Sequence, residues 1–374
     1  TGLARTAEVT LLTLCNRGEQ GGTFELAPGL TEVRIEKSEN HQSKERELSQ
    51  LLKTSVGDIA ASHYLSDTWE YLSTLKAHCH HADLVIASHH YLFAYIPQFY
   101  KGPLVYESHN VEADMKASVL GDSEAAKPWL AENQQLEQEC CEASSLIVAC
   151  SEDDKIRFQA LYGAAVENKI HVIPNGTDVS AIPFTVGVDR QRLKHRLNLQ
   201  GDMTALFMGS WHGPNLQAVE HIVGIAEHSP GVDFLIIGTV CHYYKNALID
   251  GKAFPQNVHL LGVLSEAEKQ ICLQSVDVAL NPTTSGAGTN LKLVEYVAAG
   301  VPVITTPFGC RGLSQDLLDL LWKSEISGFN AAINEISQIQ PKKIKIILNE
   351  ARGLSERYYD WQNLGQTFSE LLVS

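Results

Sequence analysis

No stretch of the 374 residues approaches the run of about 18 apolar side chains that a membrane-spanning helix needs, so none is predicted to span. Positive charge is also scarce. Lys and Arg number 29 against 44 Asp and Glu, a formal net charge of −15. Long-range attraction to nucleic acid needs clustered basic residues, and this balance argues against such a partner. A small phosphate-bearing ligand stays open, because its sites use backbone N–H groups and one or two cations. No C-x-x-C pair occurs. The cysteines (Cys15, Cys79, Cys140, Cys141, Cys150, Cys241, Cys272 and Cys310) are scattered, several within apolar runs. They read as buried free thiols in a reducing cytoplasm rather than as a zinc or redox site. The chain opens Thr1-Gly2-Leu3-Ala4-Arg5, without the charged and then apolar segment of a cleaved leader. Lys342-Lys343-Ile344-Lys345 is too short to anchor the protein on a membrane by itself. A soluble, cytoplasmic protein is expected.

What is present is a large core. Hydrophobic residues make up 44% and charged residues 20%, and the length suits two domains. Short runs rich in Val, Ile and Leu recur at Glu8–Leu14, Leu84–Ser88, Leu104–Glu107, Leu146–Cys150 and Ile170–Ile173. A second series follows at Ala205–Gly209, Asp233–Gly238, Val258–Leu261, Val276–Asn281 and Val301–Thr305. Most do not alternate with polar residues, which is how parallel strands covered on both faces read. Helical stretches such as Trp129–Ala143, Asn215–Glu227 and Ser265–Leu273 lie between them. The alternation predicts parallel βαβ units, twice over.

The seam is the turn-rich Pro174-Asn175-Gly176-Thr177-Asp178, followed by a gap in which Lys194–Leu199 reads as a helix. The expected lobes are 1–180 and 181–354. A last helix over Asn349–Leu372, with Trp361 on its apolar face, is a candidate to return residues 355–374 to the first lobe. At the start, Gly2–Arg5 reads as the tail of a helix and Glu8–Leu14 as a second strand. In a doubly wound sheet the first strand is central. The chain therefore reads as an incomplete copy that lacks this strand and its glycine-rich loop.

The most informative segment is Ser285-Gly286-Ala287-Gly288-Thr289-Asn290-Leu291-Lys292-Leu293-Val294-Glu295-Tyr296. It lies between two expected strands and reads as a glycine-rich turn opening a helix at the carboxyl end of a parallel strand, where open α/β sheets bind ligands. The first turn of such a helix offers free N–H groups to an anion. Gly286 and Gly288 let the backbone approach a phosphate, and Lys292 adds charge one turn inside. Glu295, three residues on, can accept hydrogen bonds from sugar hydroxyls. A plain helix start with a solvated Lys–Glu pair fits the same spacing equally well.

Residues 286–304, with Gly300-Val301-Pro302 after the helix, resemble the donor-binding signature of the group 1 glycosyltransferases of the GT-B fold. Three further segments are similar to that family in the same order. They are Tyr106-Glu107-Ser108-His109-Asn110-Val111-Glu112, Ile173-Pro174-Asn175-Gly176-Thr177-Asp178, and Phe207-Met208-Gly209-Ser210-Trp211-His212-Gly213-Pro214-Asn215. The resemblance implies two Rossmann-like lobes facing across a cleft, and a nucleotide-sugar donor held mainly by the C-terminal one. It implies that Glu295 binds the ribose. Gly286 and the amides of Gly288, Thr289 and Asn290, with Lys292, would hold the diphosphate. Gly209, Ser210, Trp211 and His212 would face the same phosphates, and His109 would touch the donor sugar near its reacting carbon. An isolated histidine after a strand is more often structural, but this one ends a strand beside the implied cleft. His89 and His90, which end the preceding strand, are weaker candidates for the acceptor side.

Many members of the family carry a first glutamate where Ala287 stands, and Arg is common at the place of Asn290. The departures shift the expected burden of diphosphate binding onto Lys292 and backbone amides. No Asp-x-Asp pair occurs, so no metal and no cofactor are expected beyond the donor itself. The resulting expectation is a retaining glycosyltransferase of bacterial type. It would act on a glycan, glycolipid or other lipid-linked acceptor, with at most peripheral contact at the inner face of the membrane. Two other readings are a sugar-nucleotide epimerase on the same fold and an inactive glycosyltransferase-like binding or scaffold module.

Overall fold

The computed structural model describes residues 2–185, 194–195, 199–249, 254–286 and 288–373. Most of the helix expected at Lys194–Leu199, and Ala287, lie outside the described residues. The chain divides into two units: Thr1–Ile173 with Gly365–Ser374, and Pro174–Leu364.

Unit 1 holds two sheets. In the first, β1 (Val9–Cys15) pairs in parallel with β3 (Leu30–Glu36), which pairs antiparallel with β2 (Gly22–Ala27). The second is parallel throughout, in the order β4 (Val85–Ser88), β5 (Leu104–Glu107), β6 (Leu146–Ala149) and β7 (Ile170–Val172). Leu14 and Ile35 of the first sheet pack in the same core as Ala87, Tyr106 and Ile147 of the second. On another face, Val105 and Val148 pack with Phe368 of the terminal helix Trp361–Val373. The single helix expected over Asn349–Leu372 is two, Pro341–Tyr358 and Trp361–Val373. Trp361 stays exposed, and Leu364 and Phe368 form the buried side instead. The hairpin β2–β3 was not among the expected strands. Its first strand is mostly exposed, so it carries no apolar run.

Unit 2 is one parallel six-stranded sheet in the order β10 (Val258–Gly262), β9 (Val232–Ile237), β8 (Met203–Met208), β11 (Val278–Asn281), β12 (Val303–Thr305) and β13 (Trp322–Lys323). Every residue of β9 and β11 is buried, as the continuous apolar runs require. Alternate residues feed two cores. Leu206, Leu235, Ala279 and Val303 face one, and Phe207, Phe234, Val278 and Ile304 face the other. From β8 the chain winds outward to β9 and β10, then returns to place β11 on β8's other side. The strand order therefore reverses between β8 and β11, where parallel sheets open a crevice at their carboxyl ends.

The Pro174–Asp178 segment is clamped within unit 2. Thr177 N–H donates to Tyr359 O (2.8 Å) and Trp361 N–H to Thr177 O (3.1 Å). A Cβ at Gly176 would collide with the Tyr359 carbonyl, so the close approach itself demands glycine.

Candidate active site

A cavity of about 530 Å³ opens at this reversal. The segments after β8 (Gly209, Ser210, His212), β9 (Gly238, Thr239) and β11 (Thr283, Ser285, Gly286) line it, together with Thr289, Asn290, Lys292 and Glu295. Two close approaches shape its floor. A Cβ on Gly209 would press on Phe207 and Asn215, and one on Gly238 would meet the Gly209 carbonyl. Gly286 has φ 111°, a region side chains rarely adopt.

Buried polar groups hold the loops. Asn281 Nδ2 donates to Gly309 O (2.9 Å), as does Asn290 Nδ2 (2.7 Å). Thr306 Oγ1 donates to Thr283 O and accepts from Gly309 N (2.8 Å). Ser285 Oγ donates to Gln217 Oε1 (3.0 Å) on the helix Gly213–Glu227. Tyr296 OH, wholly buried, accepts from Met208 N (2.8 Å), fixing the end of β8 against the helix Lys292–Ala298. Such satisfied networks rigidify a site.

The charges at the cavity are of two kinds. Lys292 Nζ donates to Asn215 Oδ1 (2.9 Å) and lies 4.4 Å from the centre of the Phe207 ring. Among the described residues no carboxylate pairs with it. Part of its side chain reaches the surface, but burial of the ammonium pushes its pKa down to about 7. Glu295 Oε2 instead accepts from Lys269 Nζ at 3.1 Å, and Lys269 also reaches Glu266 at 3.1 Å. Desolvation pulls Lys269 down, but Glu295 and Glu266 outweigh it and raise its pKa.

Unit 1 carries a second polar centre. His109 stands two residues past β5, exposed, with Nε2 3.4 Å from Ser88 Oγ. Ser88 Oγ donates to Glu107 Oε2 (2.7 Å). The ring centres of His109 and His89 are 4.1 Å apart. Behind them the Glu112 side chain is wholly buried. It accepts from Tyr91 OH (2.6 Å) and Asn110 Nδ2 (3.3 Å). His89 Nδ1 stands 3.4 Å from its Oε1, near enough for charge attraction but outside hydrogen-bond geometry. Burial alone would raise the Glu112 pKa. The His89 and Tyr91 contacts outweigh it and hold the carboxyl down at about 2. Glu137 anchors the segment by accepting from the amides of Glu112 (2.8 Å) and Ala113 (3.1 Å), at the start of the helix Glu112–Leu120. The His109 pKa is lowered, first by desolvation and then by His89, against Glu107 and Glu112, which raise it.

Comparison with known proteins agrees with both units. Residues 41–181 match the model of Glycosyltransferase Family 4, and residues 203–338 match that of Glycosyl transferases group 1. The chain belongs to the group 1 glycosyltransferases of the GT-B fold. It is 29% identical over 155 residues to a phosphatidyl-myo-inositol mannosyltransferase of Mycobacterium tuberculosis, covering 40% of this chain and 37% of that protein. The alignment thus spans little more than a third of the curated relative. A sucrose-phosphate synthase from Thermosynechococcus elongatus superposes over 100% of this chain and 90% of its own, with TM-score 0.75 at 14% identity. Anabaena HepE in complex with UDP-glucose does so over 97% and 99%, with TM-score 0.66 at 16% identity. At such identities these likenesses show the fold.

In this glycosyltransferase the cavity gathers Gly209, Ser210, His212, Gly286, Thr289, Asn290, Lys292 and Glu295. Gly288 and Trp211 are not among its lining. The Trp211 ring is 54% exposed and packs edge-on to Tyr243, at 6.1 Å. The helix begins at Lys292, not directly after Gly288, so Lys292 opens the helix instead of lying one turn inside it. The intervening residues form irregular backbone tied down by Asn290 and Gly309. His90 is a correction. It is wholly buried, its Nε2 is 3.0 Å from Asn133 Oδ1, and burial pushes its pKa down to about 4. It is a core residue and faces no acceptor surface. Lys269 and Arg311 also line the cavity and were not anticipated. Arg311 lies over the Phe308 ring at 4.1 Å.

Proposed function

We propose that this protein transfers a sugar from a nucleoside-diphosphate sugar to a glycan or lipid-linked acceptor, with retention of configuration and without a metal. The observation that carries this reading is Lys292, an ammonium sunk beside a strand-end cavity with no carboxylate on it among the described residues. A site that keeps such a group desolvated is built for a ligand that brings the missing negative charge. A diphosphate does so, and Glu295 at the same cavity suits ribose hydroxyls. When the bond between the sugar's reacting carbon and the diphosphate oxygen breaks, the growing negative charge falls on groups Lys292 stabilises. The acceptor oxygen bonds to that carbon on the departing side, and its proton passes to the leaving diphosphate. His109 supports the sugar through a hydroxyl and is not the base. The lack of an Asp-x-Asp pair in the sequence supports transfer without metal. The phosphatidyl-myo-inositol mannosyltransferase relative supports a lipid-linked acceptor met at a membrane surface. No described helix is long and apolar enough to cross one.

The test is a thermal-shift screen with UDP-, GDP- and ADP-sugars, followed by assay of free nucleoside diphosphate. One donor at about 100 times its Kd should add roughly 2.7 kcal/mol, and slow release of nucleoside diphosphate should follow. Stabilisation without any release, with or without acceptor, would favour a binding module. Interconversion of the sugar without release would favour an epimerase. No stabilisation by any of them would end the proposal.

A further inference from the structure

Adjoining strands β4 and β5 end in register, Ser88 opposite Glu107, and a histidine follows each end. His89 has φ 65°. Among the described residues only Lys53 shares a positive φ without being glycine, and Lys53 is a helix C-cap, where that conformation is routine. His89 caps nothing. It leaves β4 with its N–H still bonded to Glu107 O at 3.1 Å, and the left-handed step then turns its ring back between Glu112 and His109. Strained backbone of this kind persists where the surroundings over-determine it, and it clusters at functional sites.

We propose that His89 is a positioning residue for His109. Its imidazole, drawn to the buried Glu112 carboxylate, forms the wall against which the His109 ring is set. The inference rests on the reading that His109 touches the transferred sugar. Four observations converge on it: the left-handed backbone, the 4.1 Å ring separation, the 3.4 Å approach of Nδ1 to Glu112, and the exposure of His109. An exposed imidazole held only by a 3.4 Å contact to Ser88 Oγ has freedom to rotate. The His89 ring removes one side of that freedom. The charged and titratable groups acting on His109 are His89 from the segment after β4, Glu107 from β5 and Glu112 from the helix start. His89 opposes protonation of His109, and both carboxylates favour it.

The deciding variant is His89→Gly, since glycine accepts the left-handed backbone while removing the ring. The melting temperature should hold or rise. Turnover of UDP-glucose, or of GDP-mannose if only that stabilises the protein, should fall by about tenfold to hundredfold, with donor KM within about twofold. The acid limb of kcat should move to higher pH, because one group opposing His109 protonation is gone. His89→Asn, which also tolerates the conformation, gives the same comparison should the glycine chain fail to fold. Wild-type kcat and pH profile in these variants, alongside a large loss in His109→Ala, would overturn the pairing and leave the site reading intact. Full turnover in His109→Ala would remove the site reading and this inference with it.

Discussion

In unit 2 the charge sunk behind the cavity is a lysine; in unit 1 the charge sunk behind the exposed histidine is a glutamate. The two are treated differently. Glu112 is satisfied from within, by Tyr91, Asn110 and the neighbouring His89, and its pKa falls to about 2. Lys292 has a neutral amide and an aromatic ring for company, and its pKa falls to about 7, away from the charged form. A charge satisfied internally is a scaffold that fixes neighbours. A charge left short of partners waits for one from outside. The contrast matches the proposed chemistry, in which unit 2 receives a diphosphate and unit 1 presents a ring to a sugar.

The largest effect expected from this contrast is on turnover. His109→Ala should lower kcat by roughly 10²-fold or more, because its contact strengthens in the transition state. UDP affinity and melting temperature should change little, since the ring is exposed. Normal turnover with a lowered melting temperature would make His109 part of the scaffold and erase the distinction.

Next comes Lys292→Met. Loss of a charge-assisted contact of about 1.5–3 kcal/mol should weaken UDP-sugar binding roughly ten- to hundredfold. The free protein should melt higher, by an amount reflecting a few kcal/mol at most, since the fold works against this ammonium. Glu112→Gln should do the reverse, destabilising the protein and leaving nucleotide affinity alone. A Lys292 variant that loses both stability and affinity would show that the lysine is scaffold too.

Glu295→Gln should be milder, with about a tenfold loss in nucleotide affinity and an intact fold. Lys269 keeps Glu266 as a partner. Unchanged affinity would show that Lys269, and not a ribose, is what Glu295 is for.

How far these sites were legible follows from where their partners lie. Strands buried on both faces, such as β9 and β11, announce themselves as apolar runs, and so the second lobe could be read almost strand by strand. The exposed β2 could not. The segment 286–295 could be placed at a strand end because glycines and a lysine follow an apolar run. Its pairing of Glu295 with Lys269 could not, because two helices 26 residues apart in sequence make it. His89 and His90 look alike in sequence. One left-handed residue sends the first toward His109, and the second enters the core against Asn133. No periodicity encodes a turn that a single φ angle makes.

The smallest effect is the most specific to Lys292, and its sign can be worked out. The free protein holds this lysine near pKa 7, below the ordinary 10.5. The unfolded chain therefore binds more protons than the folded one between about pH 7 and pH 10, and this group alone makes the free protein's stability rise across that window. A bound diphosphate favours the ammonium and returns its pKa upward, so over the same window binding must take up a proton. Affinity should therefore fall as pH rises above 7, by close to tenfold per unit, and flatten below it. A UDP-sugar is the right probe, since its diphosphate is esterified at both ends and does not titrate there. Calorimetry at pH 8 in two buffers of different ionisation enthalpy should report an uptake approaching one proton per UDP-sugar bound, little at pH 6, and none in Lys292→Met. An uptake that persists in the variant would assign the proton elsewhere and leave Lys292 as an ordinary ammonium, charged before the ligand arrives.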